Sequence, residues 1–217
     1  MKYAFVRQNM VESQLRTNQI VDAAVIGAMR TVPRELFVPK PLRGIAYLDE
    51  SVDLGAGRAL MEPLAFACMV QAAAIGPADV VLDVGCATGY SAAVLSRLAS
   101  AVVALESDID MATRTSALLG ELKIDNVAVV PGPFIDGDAQ HGPYQVIVVE
   151  GAVARIPEKL LAQLAPGGRL VTVLAMGTQL GHITVVARVG DGFSRRTVGE
   201  ATVPALPGFQ AKAAFIF

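Results

Sequence analysis

The feature that most constrains the fold is the stretch Val80-Val81-Leu82-Asp83-Val84-Gly85-Cys86-Ala87-Thr88-Gly89-Tyr90. Its apolar, valine-rich opening reads as a strand buried on both faces. Two glycines with three residues between them follow. From Tyr90 the apolar residues Ala92, Ala93, Val94, Leu95 and Leu98 fall at helical spacing. Strand, glycine turn and helix together open a nucleotide-binding βαβ unit. The glycines let the backbone turn tightly and approach a ligand closely. The helix start offers N–H groups to polar ligand atoms. The pattern is Gly-x-x-x-Gly, with Ala87 where a middle glycine would stand, and a plain strand-to-helix turn is the simpler alternative. A second apolar run, Ala101–Leu105, follows and is closed by Glu106. A carboxylate at the tip of the second strand, roughly 20 residues beyond the glycine turn, suits a ribose diol.

The other strands and helices follow the same alternation. Residues 8–30 read as helix with a break at Thr17-Asn18-Gln19 and a cap at Asp22, and Pro33, Pro39 and Pro41 punctuate a loop-rich region after it. This N-terminal part forms a cap ahead of the sheet. Gly55-Ala56-Gly57-Arg58-Ala59-Leu60-Met61 is a turned loop, either a connector or a substrate loop. A helix entered by Pro63 runs to about Ala74. Further strands are expected at Val127–Val130, Tyr144–Val149 and Arg169–Leu174, with helices at about 111–122 and 156–164. Arg114 and Thr115 are expected to be solvated. His182–Arg188 and Phe193–Val203 flank Gly190-Asp191-Gly192, which predicts a closing antiparallel hairpin. Ligands in open α/β sheets bind beyond the C-terminal strand ends. Asp83, Glu106, Gly132 and Glu150 are therefore expected to line one crevice.

The totals agree with a single domain of 217 residues, with 1–75 as helical cap and substrate loop and 76–217 as the α/β core. At 53% hydrophobic and 18% charged residues, the chain can bury a large core. A net charge of -2 with no basic cluster speaks against a nucleic-acid partner. Cys68 and Cys86 make no metal pattern, and no metal is expected. Met1–Arg7 lacks a signal-like apolar core, and no apolar run is long enough to span a membrane. The expectation is a cytoplasmic protein with no membrane partner. His141 and His182 sit in a polar loop and at the start of a hairpin strand, as solvated bystanders.

Several stretches resemble one family, the protein-L-isoaspartate O-methyltransferases, within the class I S-adenosylmethionine (SAM)-dependent methyltransferases. They are Met10-Val11-Glu12-Ser13-Gln14-Leu15-Arg16, Val32-Pro33-Arg34-Glu35-Leu36-Phe37-Val38-Pro39, Ala46-Tyr47-Leu48-Asp49-Glu50, Val81–Leu95 and Leu164-Ala165-Pro166-Gly167-Gly168-Arg169-Leu170. The likeness runs from about Met10 to Leu206. It implies an α/β, Rossmann-like methyltransferase fold with a mostly parallel sheet, SAM as cofactor, and carboxyl methylation of isoaspartyl residues in damaged protein. By resemblance the cofactor-binding residues are Asp83, Gly85, Cys86, Ala87, Gly89, Tyr90, Glu106, Gly132 and Pro133. The substrate loop is Gly57, Arg58, Ala59, Leu60, Met61 and Glu62. The family's loop Gly-His-Gly-Gln-Thr-Ile-Ser reads Gly55–Met61 here, so both hydroxyls are replaced, the serine by Met61. Pro133 stands where the family has an acid toward the adenine, and Glu150 where it has a threonine.

A carboxylate acceptor is already ionised at neutral pH and needs positioning rather than a general base. Arg58 is the candidate to hold it through a two-pronged hydrogen bond. Glu150 is the other candidate catalytic residue, as a base or as a ligand for an amine or hydroxyl. That leaves a small-molecule acceptor open as a partner in place of an isoaspartyl peptide or protein. A SAM-binding protein without isoaspartyl activity is open as well. The absent middle glycine and the terminal hairpin count against a NAD-dependent oxidoreductase.

Overall fold

The computed structural model describes residues 2–175 and 180–209. Helix α1 (Lys2–Met10) begins earlier than the apolar spacing suggested and runs into a π turn, Val11–Leu15. The break comes where it was expected, with Gln19 at φ 65°. Asp22 then caps α2 (Ala23–Thr31), accepting from the amides of Ala24 and Val25. Two short strands, β1 (Val52–Gly55) and β2 (Arg58–Leu60), form a separate hairpin. Its turn, Ala56-Gly57, has both residues at positive φ, the requirement of a type I′ turn. The chain continues through α3 (Pro63–Ala73), β3 (Val80–Val84), α4 (Tyr90–Leu95), β4 (Ala101–Glu106), α5 (Ile109–Glu121) and β5 (Val127–Pro131). It closes with β6 (Tyr144–Val153), α6 (Glu158–Ala162), β7 (Leu164–Leu174), β8 (Gly181–Val189) and β9 (Gly192–Ala201).

The seven-stranded sheet has the order β5-β4-β3-β6-β7-β8-β9. Strands β3 to β7 pair in parallel, and β7-β8 and β8-β9 are antiparallel. The mostly parallel sheet with a terminal hairpin is thus as the sequence indicated, and β3 is the middle one of the five parallel strands. The central strands are mostly apolar because both faces are covered, with acids at or near their C-terminal ends. Val81, Val102, Ala104, Val146, Val148 and Val171 share a cluster with residues of the N-terminal cap, α3 and α4. Leu82, Val84, Val103, Leu105, Ile147 and Val149 share the other with Leu160 of α6, Phe134, Leu206 and Phe209. Helix α6 is only five residues long. The segment after β9 therefore supplies part of the second face's cover.

Three local expectations are corrected. The fourth core strand was expected to stop at Val149, yet β6 runs on to Val153. Gly151, at φ 147°, admits an irregularity, and Ala152 and Val153 resume pairing with Val173 and Leu174. Thr115, expected to be solvated, is buried, and its hydroxyl donates to the Ala87 carbonyl at 2.7 Å. Arg114, on the outer face of α5, is exposed. Pro166-Gly167-Gly168 lies within β7 rather than ahead of it, with Gly167 at φ 73° making an interruption in the strand.

Candidate active site

The site lies at the C-terminal ends of β3, β4 and β6. The glycine loop is compact because its own amides are engaged. Gly85 N and Cys86 N both donate to Leu105 O, and Gly89 N donates to Cys86 O. Gly85, Ala87 and Gly89 all have positive φ. Gly89 has a packing reason as well, since a Cβ there would lie 2.6 Å from Thr115 Cγ2.

Glu106 is the hub. It is 0% exposed, so each carboxylate lone pair needs a donor inside the protein. Oε1 accepts from the amides of Ser107 (2.8 Å) and Asp108 (3.1 Å). Oε2 accepts from Ala87 N and from Arg58 Nη2, each at 2.9 Å. Arg58, from the substrate loop, does not face solvent. It is 5% exposed, its Nη2 also donates to Gly85 O at 2.8 Å, and its guanidinium lies 4.9 Å above the Phe134 ring. The two-pronged hold pictured for a substrate carboxylate is here a single-nitrogen bond to Glu106.

Asp83 is also fully buried. Ser91 donates to its Oδ2 at 2.6 Å, and Oδ1 has no partner. Burial pushes its pKa up to about 7, against the pull of the Ser91 hydrogen bond, with the Glu106 charge pushing the same way as burial. Glu150 is half-buried with an unpaired Oε1. Burial first, then the Asp83 charge, push its pKa well above the ordinary carboxylate range. Cys86 is buried, and burial with the surrounding carboxylates pushes its thiol pKa up. It is not a reactive thiolate.

Of the residues named from the sequence, the structure therefore gathers Arg58, Gly85, Ala87 and Glu106 into one bonded cluster. Leu54 and Thr88, with Phe37, Met111 and Thr115, line a cavity of about 250 Å³, while Gly57, Arg58, Ala59, Met61 and Glu150 line one of about 10 Å³. That is room for about one water molecule. Gly132 adjoins the hub, its amide donating to Glu106 O at 2.9 Å, and Pro133 leads into the 3₁₀ turn that carries Phe134. Leu60 is buried in the cap-side cluster. Glu62 accepts from Ser51 Oγ at 2.6 Å. Tyr90 is buried between Phe37 and Phe66, beneath Arg34. His141 pairs with Asp138 at 2.6 Å, and His182 is exposed. Among the described residues no group of three or more His, Cys, Asp or Glu could hold a metal, and no helix is long and apolar enough to cross a membrane.

The sequence reading missed three contributors. Arg34 is completely buried and donates to Ala46 O and Met61 O, each at 2.6 Å, joining the cap to the substrate loop. It stood in a quoted motif but had no periodic or charge signal. Phe134 supplies the floor under Arg58. Leu206, with Pro204 and Ala205, completes the lining of the smaller cavity. Its only sign in the sequence was an apolar, proline-flanked run beyond the last strand.

The comparisons with known proteins agree on one family. The sequence model of the family described as protein-L-isoaspartate(D-aspartate) O-methyltransferase (PCMT) matches residues 6–203. A protein-L-isoaspartate O-methyltransferase of Methanoculleus marisnigri is 41% identical over 203 residues, 94% of this chain and 92% of that one. One from Methylorubrum extorquens is 39% identical over 206 residues, 94% and 90% of the two chains. Among solved structures, a protein-L-isoaspartate O-methyltransferase superimposes with a TM-score of 0.82 at 23% identity, covering 94% of this chain and 67% of the other. A beta-aspartate methyltransferase (PCMT) structure from Plasmodium falciparum, in complex with S-adenosyl-L-homocysteine, gives 0.76 at 18% identity, covering 94% and 97%. At those identities the structures speak for the fold, and the sequence matches speak for the family. The chain belongs to the protein-L-isoaspartate O-methyltransferase family.

Proposed function

We propose that this protein is a SAM-dependent methyltransferase acting on carboxylates, with L-isoaspartyl groups in damaged protein as the acceptor. The observation that carries the reading is the buried Glu106 carboxylate beside the Gly85–Gly89 turn, in a chain that matches the family from residue 6 to 203. By the family's pattern, Glu106 is the residue that would hold the cofactor's ribose.

The side chains as arranged do not fit that group. Every Glu106 lone pair has a donor inside the protein, and the cavity lined by Arg58 holds about one water molecule. The environment of Glu150 shifts it toward its neutral form, which lessens the repulsion an ionised glutamate would exert on a carboxylate acceptor. Glu62 is held by Ser51. The Glu150 environment favours the carboxylate acceptor over an amine, which would select an ionised Glu150.

The test offers the protein labelled SAM with a pair of peptides differing only in isoaspartate versus aspartate. Label in a base-labile ester on the isoaspartyl peptide alone is the expected result. Label on neither peptide, together with label on an amine or phenol that disappears in Glu150→Gln, would replace this reading with the small-molecule one.

A further inference from the structure

We propose that Arg58 is a built-in occupant of the cofactor crevice, competing with SAM for Glu106, so that the cofactor binds only when the guanidinium leaves. The inference rests on the cofactor assignment above. It starts from the disagreement between that assignment and the geometry. The carboxylate that should receive a ribose diol receives a guanidinium instead, at 2.9 Å. The glycine surface that should lie open to a ligand is covered. A Cβ built on Gly85 would come within 2.8 Å of Leu206 Cδ1 and 3.3 Å of Arg58 Nη2. The backbone of Leu206 is placed by two hydrogen bonds, and it is its side chain that covers Gly85. The Leu206 amide donates to Ala152 O, and Ala152 N donates to Pro204 O, each at 2.9 Å. The Phe134 ring faces the guanidinium from another side, 4.9 Å from its central carbon. Arg58 is thus bound like a ligand, with a counter-charge, a carbonyl acceptor and an aromatic face.

The hairpin that carries Arg58 is anchored by buried Val52 and Leu60, with Arg58 directly beside its exposed tip. Strands β1 and β2 have four and three residues and form a sheet of their own, not joined to the main one. A two-stranded hairpin of that size has little stability by itself. Its tip, residues 55–57, is exposed. Withdrawal of the Arg58 side chain at this tip would release the carboxylate and the Gly85 carbonyl together, with Val52 and Leu60 left in the core. A protein held mostly in the closed state binds more weakly than its site intrinsically allows, in proportion to the open fraction.

The test titrates S-adenosyl-L-homocysteine, the demethylated product, into the wild-type protein, Arg58→Thr and Arg58→Met. Calorimetry gives the affinities and stopped-flow fluorescence the association rates. Thermal melts confirm that each variant is folded, and Met preserves the apolar contacts should Thr fold poorly. Both variants are expected to bind about 10- to 100-fold more tightly than the wild type. The wild-type association rate should level off as the ligand is raised, because opening precedes binding, while the variants' rates keep rising. Wild-type affinity equal to or tighter than both variants overturns the competition and leaves the cofactor assignment standing. Absence of binding by all three folded proteins overturns the cofactor assignment, and the competition with it.

Discussion

Replacing Glu106 by Gln should be far more damaging than replacing Arg58 by Met, although the two residues form one ion pair. Glu106→Gln leaves the Arg58 guanidinium 5% exposed with no counter-charge. Removing one partner of a buried pair costs about 3–5 kcal/mol. The amide nitrogen of the new Gln would also meet backbone donors now served by a carboxylate oxygen, the amides of Ala87, Ser107 and Asp108. Arg58→Met leaves Glu106 with those same amides and loses one hydrogen bond to a charged group, a matter of about 1.5–3 kcal/mol. The methionine regains part of this by packing against Phe134 and Leu206. The double variant should therefore be more stable than Glu106→Gln alone, with a coupling of about 3 kcal/mol. Urea denaturation at pH 7, with coincident fluorescence and circular-dichroism transitions, reads these differences. In a chain of this size about 4 kcal/mol corresponds to a melting shift of roughly 8–16 °C. A Glu106→Gln loss below about 1 kcal/mol, or additive single changes, would show that the pair is not buried and closed as described.

Three further outcomes are expected. Asp83 has a folded-state pKa of about 7 against about 3.9 unfolded, so the folded state holds the proton more tightly. Its contribution is fully present below pH 4 and is lost as pH rises toward 7, on the order of 4 kcal/mol in all; Asp83→Asn should flatten that slope in pH-dependent melts, and an unchanged slope would place the titration elsewhere. Gly89→Ala should cost about 2–4 kcal/mol in urea denaturation, because φ is +90° and the new Cβ meets Thr115 Cγ2 at 2.6 Å. Adding Thr115→Ser, which removes that methyl, should recover part of the loss, and no recovery would leave backbone strain as its whole cause. Arg34→Met should cost about 2–4 kcal/mol by stripping the Ala46 and Met61 carbonyls of their buried donor, and a melting point within a degree of wild type would contradict that role.

The sheet was legible because its strands are buried on both faces and so read as valine- and leucine-rich runs, from Val80–Val84 to Arg169–Leu174. The hairpin announced itself through Gly190-Asp191-Gly192. The extension of β6 past Val149 was not legible, since Glu150-Gly151 looks like a strand end and only pairing with β7 carries the strand through it. Thr115 misled for a related reason. A threonine beside an exposed arginine reads as surface, and only the approach of α5 to Gly89 buries it. At the site, Glu106 and the glycine turn could be placed from spacing alone, because a βαβ unit fixes both. What fills the space between them could not. Arg58 and Leu206 are 148 residues apart in sequence numbering, and neither residue type marks a nucleotide crevice. Their meeting depends on a hairpin and a terminal segment that no local pattern brings together.

The most direct measurement is a crystal structure of the wild-type protein grown at saturating S-adenosyl-L-homocysteine. The account predicts the ribose hydroxyls on Glu106, the methionine part against Gly85–Gly89, and the Arg58 side chain drawn out of the crevice. A bound product with the Arg58–Glu106 contact still at 2.9 Å, or one seated away from the glycine turn, would contradict it.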